Sequence, residues 1–157
     1  MKIKLLFLLI ILVLPPTTEG KEPTRVACIG NSITYGYGLK NRSEECYPAV
    51  LGIMLGENYT VENFGISART LLNKGDHPYM QEKLFTEARA FRPDIVIIKL
   101  GTNDTKPHNW KYGKEFRKDL SALIMESSYT EGMNSLELVR NRVGTRIGTM
   151  ILFWLSK

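Results

Sequence analysis

The stretch Val26-Ala27-Cys28-Ile29 is a short apolar run that stops at Gly30-Asn31-Ser32. Four apolar residues without polar alternation suit a central strand of a parallel sheet, covered on both faces. The pattern returns further along. Pro93 halts a helical stretch, and Ile95-Val96-Ile97-Ile98 then leads into Gly101-Thr102-Asn103-Asp104. Between the two, Tyr59-Thr60-Val61-Glu62 alternates like a strand with one wet side and runs into Asn63-Phe64-Gly65. Helical spacing fills the intervals. Val50, Leu51, Met54 and Leu55 share one face; Met80, Leu84, Phe85, Ala88 and Phe91 make a second helix; Tyr112, Phe116, Leu120, Leu123 and Ile124 make a third. Strands alternating with helices predict an α/β fold, a three-layer sandwich around a parallel sheet with right-handed crossovers. No internal repeat or low-complexity segment interrupts it.

At 157 residues, with 43% hydrophobic and 24% charged side chains, the composition is that of one globular domain. The first residues differ from the rest. Lys2 and Lys4 precede an unbroken apolar run from Leu5 to Leu14, followed by Pro15 and Pro16. That is the layout of an export signal, with cleavage expected near Lys21, and the run is about half the 20 residues needed to cross a bilayer. Removing residues 1–20 takes away two lysines and Glu19 and lowers the net charge from +5 to +4. No basic run with interleaved aromatics suggests a nucleic-acid surface, and no His/Cys/Asp/Glu group has metal-ligand spacing. Neither metal nor cofactor is expected. Cys28 reads as a buried strand residue and Cys46 as the end of a charged loop, and two free thiols are favoured over a disulfide.

In a parallel α/β sheet, ligands bind outside the carboxyl ends of the strands, so the loops after Ile29, Glu62 and Leu100 should share one rim. Gly30 permits a tight turn that lifts the Ser32 hydroxyl, with its own amide beside it. Gly65 serves as a turn residue or presents a bare amide to a substrate oxygen. The Asn103 side chain closes its loop or supplies a further donor to a developing oxyanion.

Taken together, Ser32, Gly65 and Asn103 resemble the first three blocks of the SGNH (GDSL-type) hydrolase family, in order and in placement at strand ends. The stretch from Tyr35 to Lys111, with Tyr47-Pro48-Ala49-Val50-Leu51 and Leu71-Leu72-Asn73-Lys74-Gly75-Asp76, resembles a bacterial branch of GDSL lipases, acylhydrolases and sialate O-acetylesterases. The resemblance covers residues 24 to 124. It implies a flavodoxin-like three-layer fold, here stopping after the third strand-helix unit. It also implies an ester hydrolase with Ser32 as nucleophile and an oxyanion hole from the Ser32 amide, the Gly65 amide and the Asn103 side chain. The substrate it implies is a small acyl ester, such as an O-acetyl group on carbohydrate, with a lysophospholipid or other lipid ester as the alternative.

Two departures mark the chain. Asn31 stands where the family has Asp, and the Asp-x-x-His that supplies the family's base and its orienting acid does not occur. Neither His77 nor His108 has that spacing, and each reads as a loop residue beside a proline. Residues 125–157 contain no Asp or His. The expected organisation is a signal at 1–20, the front of the hydrolase domain at 21–124, and a dissimilar tail at 125–157 such as a shifted reading frame or truncation produces. The tail has one possible strand at Leu136 to Val139 and an apolar run at 150–155 that is too short to span a membrane. An open sheet edge, exposed apolar helix faces and impaired catalysis follow, with a non-catalytic remnant as the reading from another class.

Overall fold

A computed structural model describes residues 21–128, 136–139 and 150–155. The expected export signal and cleavage point at residues 1–20 lie outside these. Strand β1 (Thr24–Gly30) is buried from Val26 onward, as its unbroken apolar run predicts. It lies between β2 (Tyr59–Gly65) and β3 (Ile95–Lys99) and is parallel to both. Gly30 is level with Gly65 on one side and with Lys99 on the other. The following loops therefore leave from one edge of the sheet.

Successive residues of β1 point to opposite faces, and each face meets its own helical layer. Ala27 and Ile29 join Val96 and Ile98 in a core that α4 (Lys83–Ala90) and α6 (Phe116–Ser128) cover through Phe85, Ala88 and Leu123. Val26, Cys28 and Ile97 face the other way, where Tyr47 and Leu51 of α3 (Tyr47–Leu55) pack. The three-layer α/β sandwich is thus present. Three shorter helices escape periodicity because each spans about one turn: α1 (Ser32–Tyr35), α2 (Arg42–Glu45) and α5 (Pro107–Trp110).

The tail adds to the sheet. Strand β5 (Met150–Leu155) pairs antiparallel with β3, from Ile95 opposite Trp154 to Lys99 opposite Met150. Strand β4 (Leu136–Val139) pairs antiparallel with β5, giving the order β2-β1-β3-β5-β4. The edge of β3, expected to stand open, is therefore occupied. The apolar run at 150–155 supplies a strand that satisfies backbone groups an uncovered β3 would leave unpaired.

Two other expectations change. Val50 and Met54 do not lie on the buried face of α3; they are 40% and 78% exposed, and Tyr47 and Leu51 pack inward instead. Nearly every residue of α3 is apolar, so the sequence could not reveal which stripe faces the sheet. Cys46 is buried at the start of α3 rather than ending a charged loop, and Cys28 and Cys46 are both free thiols. Burial pushes the Cys28 thiol up to about 12. Among the described residues no helix is long and apolar enough to cross a membrane.

Candidate active site

The turn out of β1 is shaped by lack of space. A Cβ at Gly30 would collide with Thr34 Oγ1 and stand 2.7 Å from the Lys99 carbonyl oxygen, so only glycine lets the chain turn this tightly beside β3. Asn31 follows as the N-cap of α1, its N–H donating to the Lys99 carbonyl (3.2 Å) and its Oδ1 accepting the Ile33 N–H (3.0 Å). Ser32 occupies the first helical position and is half-buried. Its amide is one of the first-turn donors for which a helix provides no internal acceptor. Hydroxyl and amide thus sit together at the carboxyl edge of the sheet.

At the end of β2, Asn63 clamps two loops. Its Oδ1 accepts the Gly65 N–H (2.9 Å), while its Nδ2 donates to the Thr34 carbonyl (2.8 Å) and to Cys46 Sγ (3.3 Å). This corrects the reading of Gly65. Its amide is already engaged inside the protein and does not point at a substrate oxygen. What requires glycine is the backbone of α1: a Cβ at Gly65 would strike the Tyr35 nitrogen and lie 2.7 Å from the Thr34 carbonyl carbon. Three residues further on, Ala68 adopts φ 68°, a left-handed conformation uncommon for a residue with a Cβ. Among the described residues its amide has no hydrogen-bond acceptor.

Two side chains of the third loop hold this segment. Asn103 Nδ2 donates to the Arg69 carbonyl (2.9 Å), which occupies one of its two N–H groups. Asp104 is fully buried and accepts the Leu72 N–H (2.7 Å) and the Leu71 N–H (3.1 Å). Burial raises its carboxyl above the usual range, and the Leu72 and Leu71 amides oppose that rise. Since the Ile66 N–H donates to the Gly30 carbonyl (3.0 Å), the loops after β1, β2 and β3 form one continuous network. Ser32, the segment at Ala68 and Asn103 belong to the same rim; Gly65 underlies it.

The histidines stand apart from Ser32 in their hydrogen bonding. His108 lies in α5, not in a loop, and its Nε2 is 3.0 Å from Asp76 Oδ2. Burial alone would raise the Asp76 carboxyl, but hydrogen bonds from His108 and Asn109 hold it below its ordinary value. His77 is an exposed loop residue whose carbonyl accepts the Thr70 N–H. Among the described residues neither ring bonds to Ser32, and no three His, Cys, Asp or Glu side chains group as a metal site.

The sequence profile of the GDSL-like lipase/acylhydrolase family matches residues 28–144. The chain belongs to this family. The match extends past Ile124, where the motif-level resemblance ends. As a family member the chain is 60% identical over 104 residues to an acetylxylan esterase of Xylanibacter ruminicola, an overlap of 66% of this chain and 22% of that protein. Its fold is similar to those of an aryl esterase of M. smegmatis (TM-score 0.54) and a carbohydrate acetylesterase of Sinorhizobium meliloti (TM-score 0.52). Each is 27% identical to it, and each alignment covers 66% of this chain and 54% of the esterase. The chain therefore spans about a fifth of the first relative and about half of the other two.

Within this GDSL-like site, reading the sequence missed Asn63, Ala68 and Asp104. Asn63 and Asp104 adjoin the motifs and carry buriable polar groups, which is a usable signal. Nothing about an alanine announces a left-handed φ.

Proposed function

We propose that this chain is a serine ester hydrolase acting on O-acetylated carbohydrate, with Ser32 as nucleophile. The observation that carries the reading is the hydrogen-bonded rim, which holds the Ser32 hydroxyl and amide on the loop after β1 and Asn103 on the loop after the adjacent β3. The acetylxylan esterase relative supports acetylated polysaccharide as the substrate class. In the proposed reaction, Ser32 Oγ bonds to the ester carbonyl carbon and the carbonyl oxygen gains negative charge. The Ser32 amide, the remaining Asn103 N–H and, in place of Gly65, the Ala68 amide are the donors for that charge. Collapse breaks the bond to the sugar oxygen, which leaves with a proton, and water then releases acetate from Ser32.

The proton on Ser32 Oγ needs an acceptor, and no Asp-x-x-His stands in the sequence to provide one. An oxyanion hole with substrate binding alone retains roughly 10³- to 10⁴-fold acceleration over water, so the proposed activity is feeble. The charged start and ten-residue apolar run support action outside the cytoplasm; N-terminal sequencing of exported protein should find Lys21 at or near the first residue, and recovery of membrane-integrated chain beginning at Met1 would refute it. The activity is tested on p-nitrophenyl acetate and acetylated xylo-oligosaccharide. Slow release of acetate that disappears in Ser32→Ala supports the reading. Release unchanged by that substitution refutes it.

A further inference from the structure

Trp110, in α5, lies beyond the proposed chemistry and is built as a platform. A Cβ at Gly113 would stand 3.0 Å from both Cδ2 and Cε2, the two atoms of the indole fusion bond. Rings flank that bond on either side, so only an atom above the plane can approach both. The indole therefore rests one face on the Gly113 backbone. The Phe116 ring meets it at 59°, centroids 6.1 Å apart, yet Trp110 remains 45% exposed.

The platform is fixed relative to the proposed ester site. The neighbouring Asn109 side chain is buried; it accepts the Asp76 N–H (2.9 Å) and donates to Asp76 Oδ1 and to the Asn103 carbonyl (3.0 Å each). Phe116, against which Trp110 leans, also lies 3.4 Å from where a Cβ of Gly101 would be, at the start of the Asn103 loop. Single exposed aromatics need no special account. This one combines a backed indole face with a helix locked to the Asn103 loop through Asn109.

We propose that the open face of Trp110 is a subsite for a neighbouring sugar ring of a polysaccharide chain, stacking against the ring's C–H face while the ester occupies the Ser32 rim. A pyranose has an apolar C–H face, which suits a rigid aromatic plate that remains about half exposed. Holding the indole rigid in the free protein lowers the ordering cost of binding. The inference rests on carbohydrate as the substrate, and it assigns Trp110 to chain recognition.

The test uses the full chain, labelled with ¹⁵N, and unacetylated xylohexaose, so that binding is read without hydrolysis. The sequence has two tryptophans, Trp110 and Trp154, and Trp110→Ala identifies their indole resonances. We expect the Trp110 indole resonance to shift saturably, with xylohexaose binding at least several-fold more tightly than xylose. Trp110→Phe, which keeps a ring over Gly113, should weaken xylohexaose binding several-fold and Trp110→Ala about tenfold or more, followed on the remaining amide resonances. A Trp110 resonance unmoved by xylohexaose in the unaltered chain overturns the proposal, as does movement with lysophosphatidylcholine micelles alone. Failure here, with Ser32-dependent p-nitrophenyl acetate hydrolysis present in the unaltered chain, removes the subsite and leaves the esterase reading standing. Loss of Ser32 dependence with xylohexaose still bound does the reverse.

Discussion

Asn31 holds its place by one end of its amide only. Oδ1 caps α1, while Nδ2 is buried with no acceptor among the described residues. An orphaned buried donor costs about 1 to 3 kcal/mol, and loss of an N-cap about 1 kcal/mol. Asn31→Ala, which exchanges one fault for the other, should change stability little or lower it slightly. Asn31→Asp keeps the cap, exchanges the orphaned donor for a buried carboxylate oxygen and places negative charge at a helix start; urea unfolding should show it more stable than Asn31→Ala by about 1 kcal/mol. An aspartate less stable than the alanine would mean that desolvation of the carboxylate dominates. Gly65 gives a second residue-scale prediction. Its Cβ would meet backbone rather than a flexible side chain, so Gly65→Ala should destabilise by about 1 to 3 kcal/mol in the same assay. Both residues stood out in the sequence, but their contacts did not, because a glycine that donates an amide and one that leaves room for a neighbour read alike.

The loops after β2 and β3 act as one element because of Asp104. Asp104→Ala strands two buried amides, and we expect a loss of about 2 to 4 kcal/mol in urea unfolding, with faster hydrogen exchange at Leu71 and Leu72. Unchanged exchange there would show that the staple is redundant. Strands were the most legible elements. The runs at 26–29 and 95–98 have flanking Gly or Pro and are buried on both faces, which leaves no competing pattern. Helices were legible where polar residues marked an outer face, as in α4 and α6, and illegible in α3, where Ile53 and Met54 are more than 70% exposed although as apolar as Leu51, which packs inward. The apolar run at 150–155 had no visible partner in sequence. Its pairing with β3 is a long-range choice set by an available edge.

Across the whole molecule, burial of acidic hydroxyl and thiol groups sets the alkaline limit. Cys28 rises from 9.0 to about 12, and burial also raises Tyr47 and Tyr79 above their ordinary range. The unfolded chain ionises these groups first, so it binds fewer protons than the folded chain between the two values, and stability falls as pH rises. Their contribution is full below pH 9 and is lost progressively toward 12. Urea midpoints at pH 7, 8, 9.5 and 10.5 should be level for the first pair and then decline; no decline would contradict the burial of these groups.

The site as a whole was legible to the extent that three motifs end three neighbouring strands, and the chemistry hangs on whether that rim is competent once a base is supplied. The most direct measurement joins residues 1–124 to the C-terminal half of a family member carrying Asp-x-x-His and follows p-nitrophenyl acetate hydrolysis beside the unmodified chain. Turnover in the fusion should stand roughly 10³-fold or more above that of the unmodified chain and be lost in both proteins with Ser32→Ala. Equal, Ser32-dependent turnover in the two would place a working base within the chain itself, and fusion activity that survives Ser32→Ala would remove Ser32 as the nucleophile.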